Sequence, residues 1–253
     1  MPAYREERTL ATNLQKLMET LSTAQLSFEL VLIVDASPGD RTREAAMRIA
    51  SNHPEVRLIL REGRQGVGTA IRAGISVASG QIVMPVMGDA SESMGDIVAV
   101  ALKALEGYDI VVGNRFMKKG MIVGYSPLKS CANRLCNLFT RLLFGVPTSD
   151  ITNAFKAYRL RVVRDLNLTS TGYSIFVELP VKAYLNSTRN LIEIPVGHIA
   201  TDRKHGLRVF RDGIGYFLCL LGMLFRANNL IIQERGDKHN LSRLVPRDIS
   251  KLA

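Results

Sequence analysis

Short apolar runs alternate with segments of helical period from the N-terminus to Val112, and this alternation limits the fold more than any other feature of the chain. Phe28–Val34 (FELVLIV), Val56–Leu60, Gln81–Met87 (QIVMPVM) and Tyr108–Val112 read as buried strands. Between them, Leu10, Leu14, Leu17 and Leu21 recur at helical spacing. Asp40 and Thr42 precede REAAMRIA as a capped helix. Gly66–Ser79 places Ala70, Ile71, Gly74, Ile75 and Ala78 on one helical face, with Gly80 as its stop. Asp96–Leu105 completes the set. Strand, helix and strand at this pace require right-handed crossovers, hence an α/β fold with a mostly parallel central sheet.

The pattern changes after Gly113. No acidic residue occurs from Val111 to Ser149, whereas Arg115, Lys118, Lys119, Lys129, Arg134 and Arg141 all fall there. Leu128–Phe144 is amphipathic, with Leu128, Cys131, Leu135, Leu138 and Leu142 on one stripe. Two readings stand side by side: a helix packed on the core with a solvated basic face, or a helix on an anionic membrane surface. Leu191–Ala200 reads as strand. Gly215–Phe225 reads as an apolar helix, followed by a polar, basic tail. The longest apolar run, Ile214–Phe225, has 12 residues, and a spanning helix needs about 20. The expected division is a main domain over 1–213 and a membrane-facing helix and tail over 214–253.

The chain has 253 residues, enough for one large domain or two small ones. Its net charge of +10 favours anionic partners. Cys131, Cys136 and Cys219 have neither metal-ligand nor redox spacing, and their odd number points to a reducing compartment. MPAYREERTL has no signal-peptide core. The expected compartment is therefore cytoplasmic, with room for a peripheral place on the cytoplasmic face of a membrane.

Ligands of open parallel sheets bind at the carboxyl ends of the strands. Two acids stand there: Asp35 closes the first long strand, and Asp89 follows QIVMPVM. Either acid alone is explained by capping the next helix, but two at one sheet edge face one crevice. Between them Gly66 and Gly68 open a helix, as a phosphate-cradling turn does, or simply as a tight turn does. The third glycine of a dinucleotide fingerprint is missing; Ile71 stands in its place.

PAYREE, VDAS, GRQGVGTAIRAG, MGDAS, GYDIVVGNRF, SDITNAFKAYR and DRKHG, in this order, resemble glycosyltransferase family 2. Within it they resemble the polyprenyl-phosphate (dolichol-phosphate mannose synthase-like) sugar transferases. The resemblance runs from Pro2 to about Phe225. It implies a GT-A fold, a nucleotide sugar as donor and Mg2+ or Mn2+ as cofactor. By the same resemblance Pro2, Tyr4, Glu6 and Asp35 bind the nucleotide, with Gly66 and Gly68 beside them, although VDASPGDRT also aligns with Ala36 at the acid's place. Asp89 and Ser91 hold the metal. Arg115, Arg134 and Arg203 approach the acceptor phosphate or the diphosphate.

Three departures accompany the match. Met87 stands where the first acid of the family's D-x-D motif is expected, Arg5 replaces the usual Asn, and the start at Met1-Pro2 leaves no room for the strand that normally precedes this segment, so either a truncated first strand or a start lying upstream is expected. Mg2+ commonly takes one or two carboxylates and fills its shell with phosphate oxygens and water, so Asp89 suffices if the diphosphate assists. No strong general base is evident. A phosphate monoester acceptor needs none, because it is mostly a dianion at neutral pH. What it needs is positive charge, and arginine supplies it as a planar fork. The expected reaction is inverting transfer of a sugar from a GDP-mannose or UDP-glucose type of donor to a polyprenyl or dolichyl phosphate at a membrane surface. The alternatives are a non-catalytic GT-A-fold binding protein and a transferase with a soluble or glycan acceptor. Nucleic acid is not expected as a partner, since no recognition signature accompanies the charge. Glu178, Asp150 and Thr152 each allow a structural or a functional role, and Phe155 and Tyr158 read as core.

Overall fold

The structure is a computed structural model that describes residues 1–35, 39–63, 65–88, 92–117, 122–123, 127–199 and 213–225. Three strands, β1 (Pro2–Ala3), β2 (Leu30–Asp35) and β3 (Val56–Arg61), form a parallel sheet in the order β1-β2-β3. Four more, β4 (Ile82–Val83), β5 (Ile110–Asn114), β7 (Lys156–Arg159) and β8 (Leu191–Pro195), form a second sheet in the order β4-β7-β5-β8. There β5 and β8 are parallel, while β7 runs antiparallel to both β4 and β5. A parallel two-stranded ladder joins β6 (Ile122–Val123) to β9 (His198–Ile199).

Helices cover both faces of the sheets. α1 (Leu10–Thr23), α2 (Thr42–Asn52) and α4 (Met94–Leu105) lie on one face. α3 (Val67–Val77), the single turn α6 (Leu160–Val163) and α7 (Ile175–Asn186) lie on the other. The period-2 alternation of strand side chains divides the core accordingly. Leu30, Leu32, Val34 and Val111 point to the α1–α4 side, and Ile110, Val112 and Tyr158 to the α3–α7 side. α5 (Pro127–Phe144) and α8, residues 213–225, follow on the α7 side.

The expected elements form with small shifts at their ends. Asp96–Leu105 extends back to Met94, because Ser93 caps the helix by accepting from the Asp96 N–H at 3.1 Å. The strand expected over Gln81–Met87 narrows to Ile82–Val83. Pro85 has no N–H to give to a ladder, and β1, the strand beside this segment, is only two residues long. A cavity of about 110 Å3 lies there, lined by Val31 and Ile33 of β2, Ile75 of α3 and Val83 to Val86. The Gly88 N–H reaches across to the Pro2 carbonyl at 3.2 Å.

Candidate functional site

β2 ends on Asp35 and β3 on Arg61, directly opposite each other in the parallel register. Their side chains pair: Arg61 donates from Nε and Nη2 to Asp35 Oδ1, with the Nε bond 2.8 Å long. The other carboxylate oxygen, Oδ2, accepts the N–H groups of Gln65 at 2.9 Å and Gly66 at 3.3 Å. Asp35 is buried, and its carboxylate fills the anion position ahead of α3. Arg61 also donates to Thr69 Oγ1 at 3.0 Å, and so fastens the turn to the first helical residues.

The two glycines of this turn meet backbone on their open side. Gly66 has φ +91°, a region that favours glycine. A Cβ there stands 2.5 Å from the Thr171 carbonyl oxygen, and one on Gly68 stands 2.4 Å from that of Ser170. The Gly68 N–H donates to Thr171 O at 2.8 Å. The 169–172 segment is held in turn by Glu178 of α7, which accepts from Thr169 N at 2.9 Å and Ser170 N at 2.7 Å. Burial pushes the Glu178 carboxyl up. Bonds from Lys182, Ser170 and Thr169 outweigh that and bring its pKa from 4.5 to about 2. Glu178 is thus a fully engaged structural acid.

The expected nucleotide segment lies at the same carboxyl edge. Pro2 belongs to β1 beside β2. Tyr4 stacks under the Arg5 guanidinium at 5.4 Å from the ring centre. The Glu6 N–H donates to Thr42 Oγ1 at 2.8 Å, and the Arg5 N–H to Asp40 Oδ2 at 3.1 Å. Gly88 is tied to Pro2 and, through its own carbonyl, to Asn13 Nδ2 at 3.0 Å. The segment that ends on Gly88 is therefore fixed beside β1. Asp89 and Ser91, the expected metal ligands, lie outside the described residues, as does Arg203. Met87 packs against the core cluster around α7, so an apolar contact accounts for that residue. Among the described residues no group of three His, Cys, Asp or Glu side chains is placed to hold a metal ion.

Arg115 follows β5 and is buried. Its Nε and Nη2 donate to the two oxygens of Asp150 at 2.8 and 2.6 Å, and its backbone N–H donates to Asp150 Oδ2 at 2.9 Å. The lack of nearby acids in sequence therefore does not leave Arg115 without one. Arg115 and Arg134 share a neighbour: their guanidinium carbons stand 5.7 and 5.9 Å from the centre of the Phe116 ring. The structure thus gathers two of the three expected arginines around one aromatic side chain.

Behind this pair sits Lys156, fully buried, donating to the carbonyl oxygens of Ile151 and Asn153. Burial lowers its pKa from 10.5 to about 7, with Asp150 pulling back upward. Below pH 7 both folded and unfolded chains hold this proton. Between about 7 and 10.5 only the unfolded chain does, so folding stability gains as pH rises through that window. Melting curves of the wild type and Lys156→Met from pH 6 to 10 should converge or cross as pH rises. Parallel curves would show that the ammonium is not desolvated.

At the described positions of α5 the apolar stripe lies on the outer face. The helix buries Asn137 and Thr140 and leaves Leu135, Leu138 and Leu142 outside, the last 63% exposed. Asn137 locks the turn before β7 by donating to Ser149 O and accepting from the Ile151 N–H at 2.8 Å. The apolar stripe continues onto α8, where Phe217 meets Phe139 edge-on at 6.1 Å between ring centres. Ile214, Phe217, Leu218 and Phe225 are exposed there, while Leu220 packs into the core. No helix among the described residues is long and apolar enough to cross a membrane.

The family model for glycosyl transferase family 2 matches residues 1–166. The chain is 26% identical over 200 residues to a dolichol-phosphate mannosyltransferase of Pyrococcus furiosus, covering 77% of this chain and 54% of that protein. It is 25% identical over 219 residues to an undecaprenyl-phosphate mannosyltransferase of Micrococcus luteus, covering 85% and 87%. The chain therefore spans about half the length of the first relative and most of the second. In fold it resembles the glucosyl-3-phosphoglycerate synthase of Mycobacterium tuberculosis solved with UDP, with a TM-score of 0.66 and 18% identity over 87% of this chain and 77% of that one. The match from the first residue through α6 takes in β1, the Asp35 turn, the Arg115–Asp150 pair and β7, and on that extent the chain belongs to glycosyl transferase family 2.

Proposed function

We propose that the chain is an inverting hexosyltransferase that moves a sugar from a GDP-mannose or UDP-glucose type of donor to a polyprenyl or dolichyl phosphate. The observation that carries this reading is the join between charge and apolar surface on α5. Arg134, which shares the Phe116 ring with Arg115, is followed on the same helix by exposed Leu135, Leu138 and Leu142, and α8 extends the apolar face. A lipid phosphate has the same two parts, a dianionic head and a hydrocarbon tail. Burying one leucine side chain in the acyl region is worth about 1.5–3 kcal/mol. Several together, beside cationic side chains, hold a protein on an anionic surface. The names of the two bacterial and archaeal relatives, both polyprenyl- or dolichol-phosphate mannosyltransferases, support the acceptor class.

In this reading the domain over 1–213 binds the donor, and 214–253 faces the membrane from the cytoplasmic side. Pro2, Tyr4, Glu6 and Asp35 line the nucleotide subsite with the Gly66–Gly68 turn. Asp35 already accepts four hydrogen bonds, so it contacts the nucleotide by exchanging one of them. Asp89 and Ser91 hold Mg2+ or Mn2+, which stabilises the departing nucleoside diphosphate. The mycobacterial synthase of similar fold has been solved with Mn2+ and UDP-glucose. Arg115, Arg134 and Arg203 offset the repulsion between acceptor phosphate and diphosphate.

The test is transfer of labelled sugar from GDP-mannose and UDP-glucose to a vesicle-embedded polyprenyl phosphate, with Mg2+ or Mn2+ and with free sugars as competing acceptors. The expected result is a lipid-linked product, abolished in Asp89→Asn and at least tenfold lower in Leu138→Glu/Leu142→Glu, whose melting temperature is unchanged. Transfer to free sugars with an inert lipid phosphate would replace this reading with a soluble-acceptor one. Binding of nucleotide without turnover of any donor would leave a non-catalytic protein.

A further inference from the structure

A cleft separate from the expected acceptor side runs along the outer face of α3, between that helix and the 163–168 segment. Its volume is about 490 Å3, within the range of roughly 300–1,000 Å3 typical of small-molecule sites. Leu166 gives it an apolar floor, backed by the buried Ile75, Val163 and Leu168. Arg72 and Arg164 stand at its rim, and Arg61 closes the end nearest the Asp35 turn. No carboxylate lines it among the described residues. Arg61 is committed to Asp35, and Arg164 spends one N–H on the Ala78 carbonyl at 2.8 Å. Among the described residues Arg72 has neither a hydrogen bond nor an ion pair. Two exposed guanidinium groups over an apolar floor form an amphiphilic anion site: the floor takes a hydrophobic body, and the forks take phosphate oxygens.

We propose that this cleft is a second ligand site, which binds a phosphate monoester carrying an apolar or aromatic body of about nucleoside size. The site goes beyond the transferase reading, since its floor and both rim arginines lie outside the residues assigned to donor and acceptor. It is nonetheless joined to the donor side. Gln65 and Thr69 line the cleft, and the same two residues bond to Asp35 and Arg61. A ligand seated against them stiffens the turn that the nucleotide must open, so occupancy of the cleft weakens donor binding.

The protein has no tryptophan, so the fluorescence of 1-naphthyl phosphate reports binding without an indole background. Saturable binding is expected, with 1-naphthol and inorganic phosphate each at least tenfold weaker. Arg72→Ala and Arg164→Ala should each weaken 1-naphthyl phosphate binding about tenfold. Ala73→Phe, which fills the cleft and keeps its cations, should abolish it, all three variants melting as the wild type does. The affinity for UDP or GDP should fall a few-fold, without reaching zero, when the cleft is saturated. Unchanged probe binding in the three variants overturns the proposal. So does complete, mutually exclusive displacement by UDP or GDP, which places the probe in the donor subsite. Naphthol binding as tightly as its phosphate overturns it as well.

Discussion

Asp150→Asn is expected to lower the unfolding free energy by about 3–5 kcal/mol, the usual cost of leaving a buried charge without its partner. For a chain of this size that is a fall in melting temperature of roughly 10 °C. Asp150 is fully buried and receives three bonds from Arg115, at 2.6, 2.8 and 2.9 Å. It is also the principal charge that favours the ammonium form of Lys156. The near-isosteric amide keeps the shape and removes the charge, which leaves the Arg115 guanidinium buried without a counter-ion and takes from Lys156 the charge that holds its pKa up, so that Lys156 sheds its proton. Arg115→Met leaves one anion with one cation and should cost less. The double variant should cost less than the sum of the two, because each change removes what made the other harmful. The same substitutions separate structure from chemistry. Burial of the pair makes Arg115 part of the fold, so its removal costs stability as well as any part it has in transfer. Thermal melts of the three variants check the ordering, and a stability for Asp150→Asn within 1 kcal/mol of wild type would show that water reaches the pair.

That pair also marks where reading the chain residue by residue stops working. The α/β alternation was legible because periods of two and 3.6 are local signals, and so were the carboxyl-edge positions of Asp35 and Gly66. Asp150 stands 35 residues from Arg115, and local charge counting cannot join them. β7 carries no local strand signal, because its four residues, KAYR, include a fully buried lysine and hardly look like an inner strand. α7 lacks a signal for the opposite reason: nearly every side chain from Ile175 to Tyr184 is buried, so no amphipathic period exists, and Pro180 lies inside it. For α5 the stripe was visible but not its direction. A periodic pattern identifies the apolar face and says nothing about which side meets the core. Asn137 decides that, by bonding the backbone on both sides of Asp150.

Gly68→Ala is expected to be strongly damaging, through close contact alone. The added Cβ stands 2.4 Å from Ser170 O, 2.8 Å from Thr171 C and 2.9 Å from Gly172 O, all of them backbone atoms. A flexible side chain could swing aside, but a backbone segment has to move as a unit. This one is fixed by Glu178, by the Lys182 bond behind it, and by its own acceptance of the Gly68 N–H. Overpacking of this kind costs about 1–3 kcal/mol, occasionally more, and here the lost hydrogen bond adds about 1 kcal/mol. The expected fall in melting temperature is again roughly 10 °C, with weakened nucleotide binding, because displacing α3 pulls Gly66 away from Asp35. Gly63→Ala is the control. It has φ +66° but open space around its Cβ position, so it meets only the backbone penalty of about 1–2 kcal/mol. If Gly68→Ala melts no lower than Gly63→Ala, the close approach of the 170–172 backbone is not what the glycine is for. If it melts far lower, the turn owes its small residues to the fold, and any nucleotide binds to a loop already shaped without it.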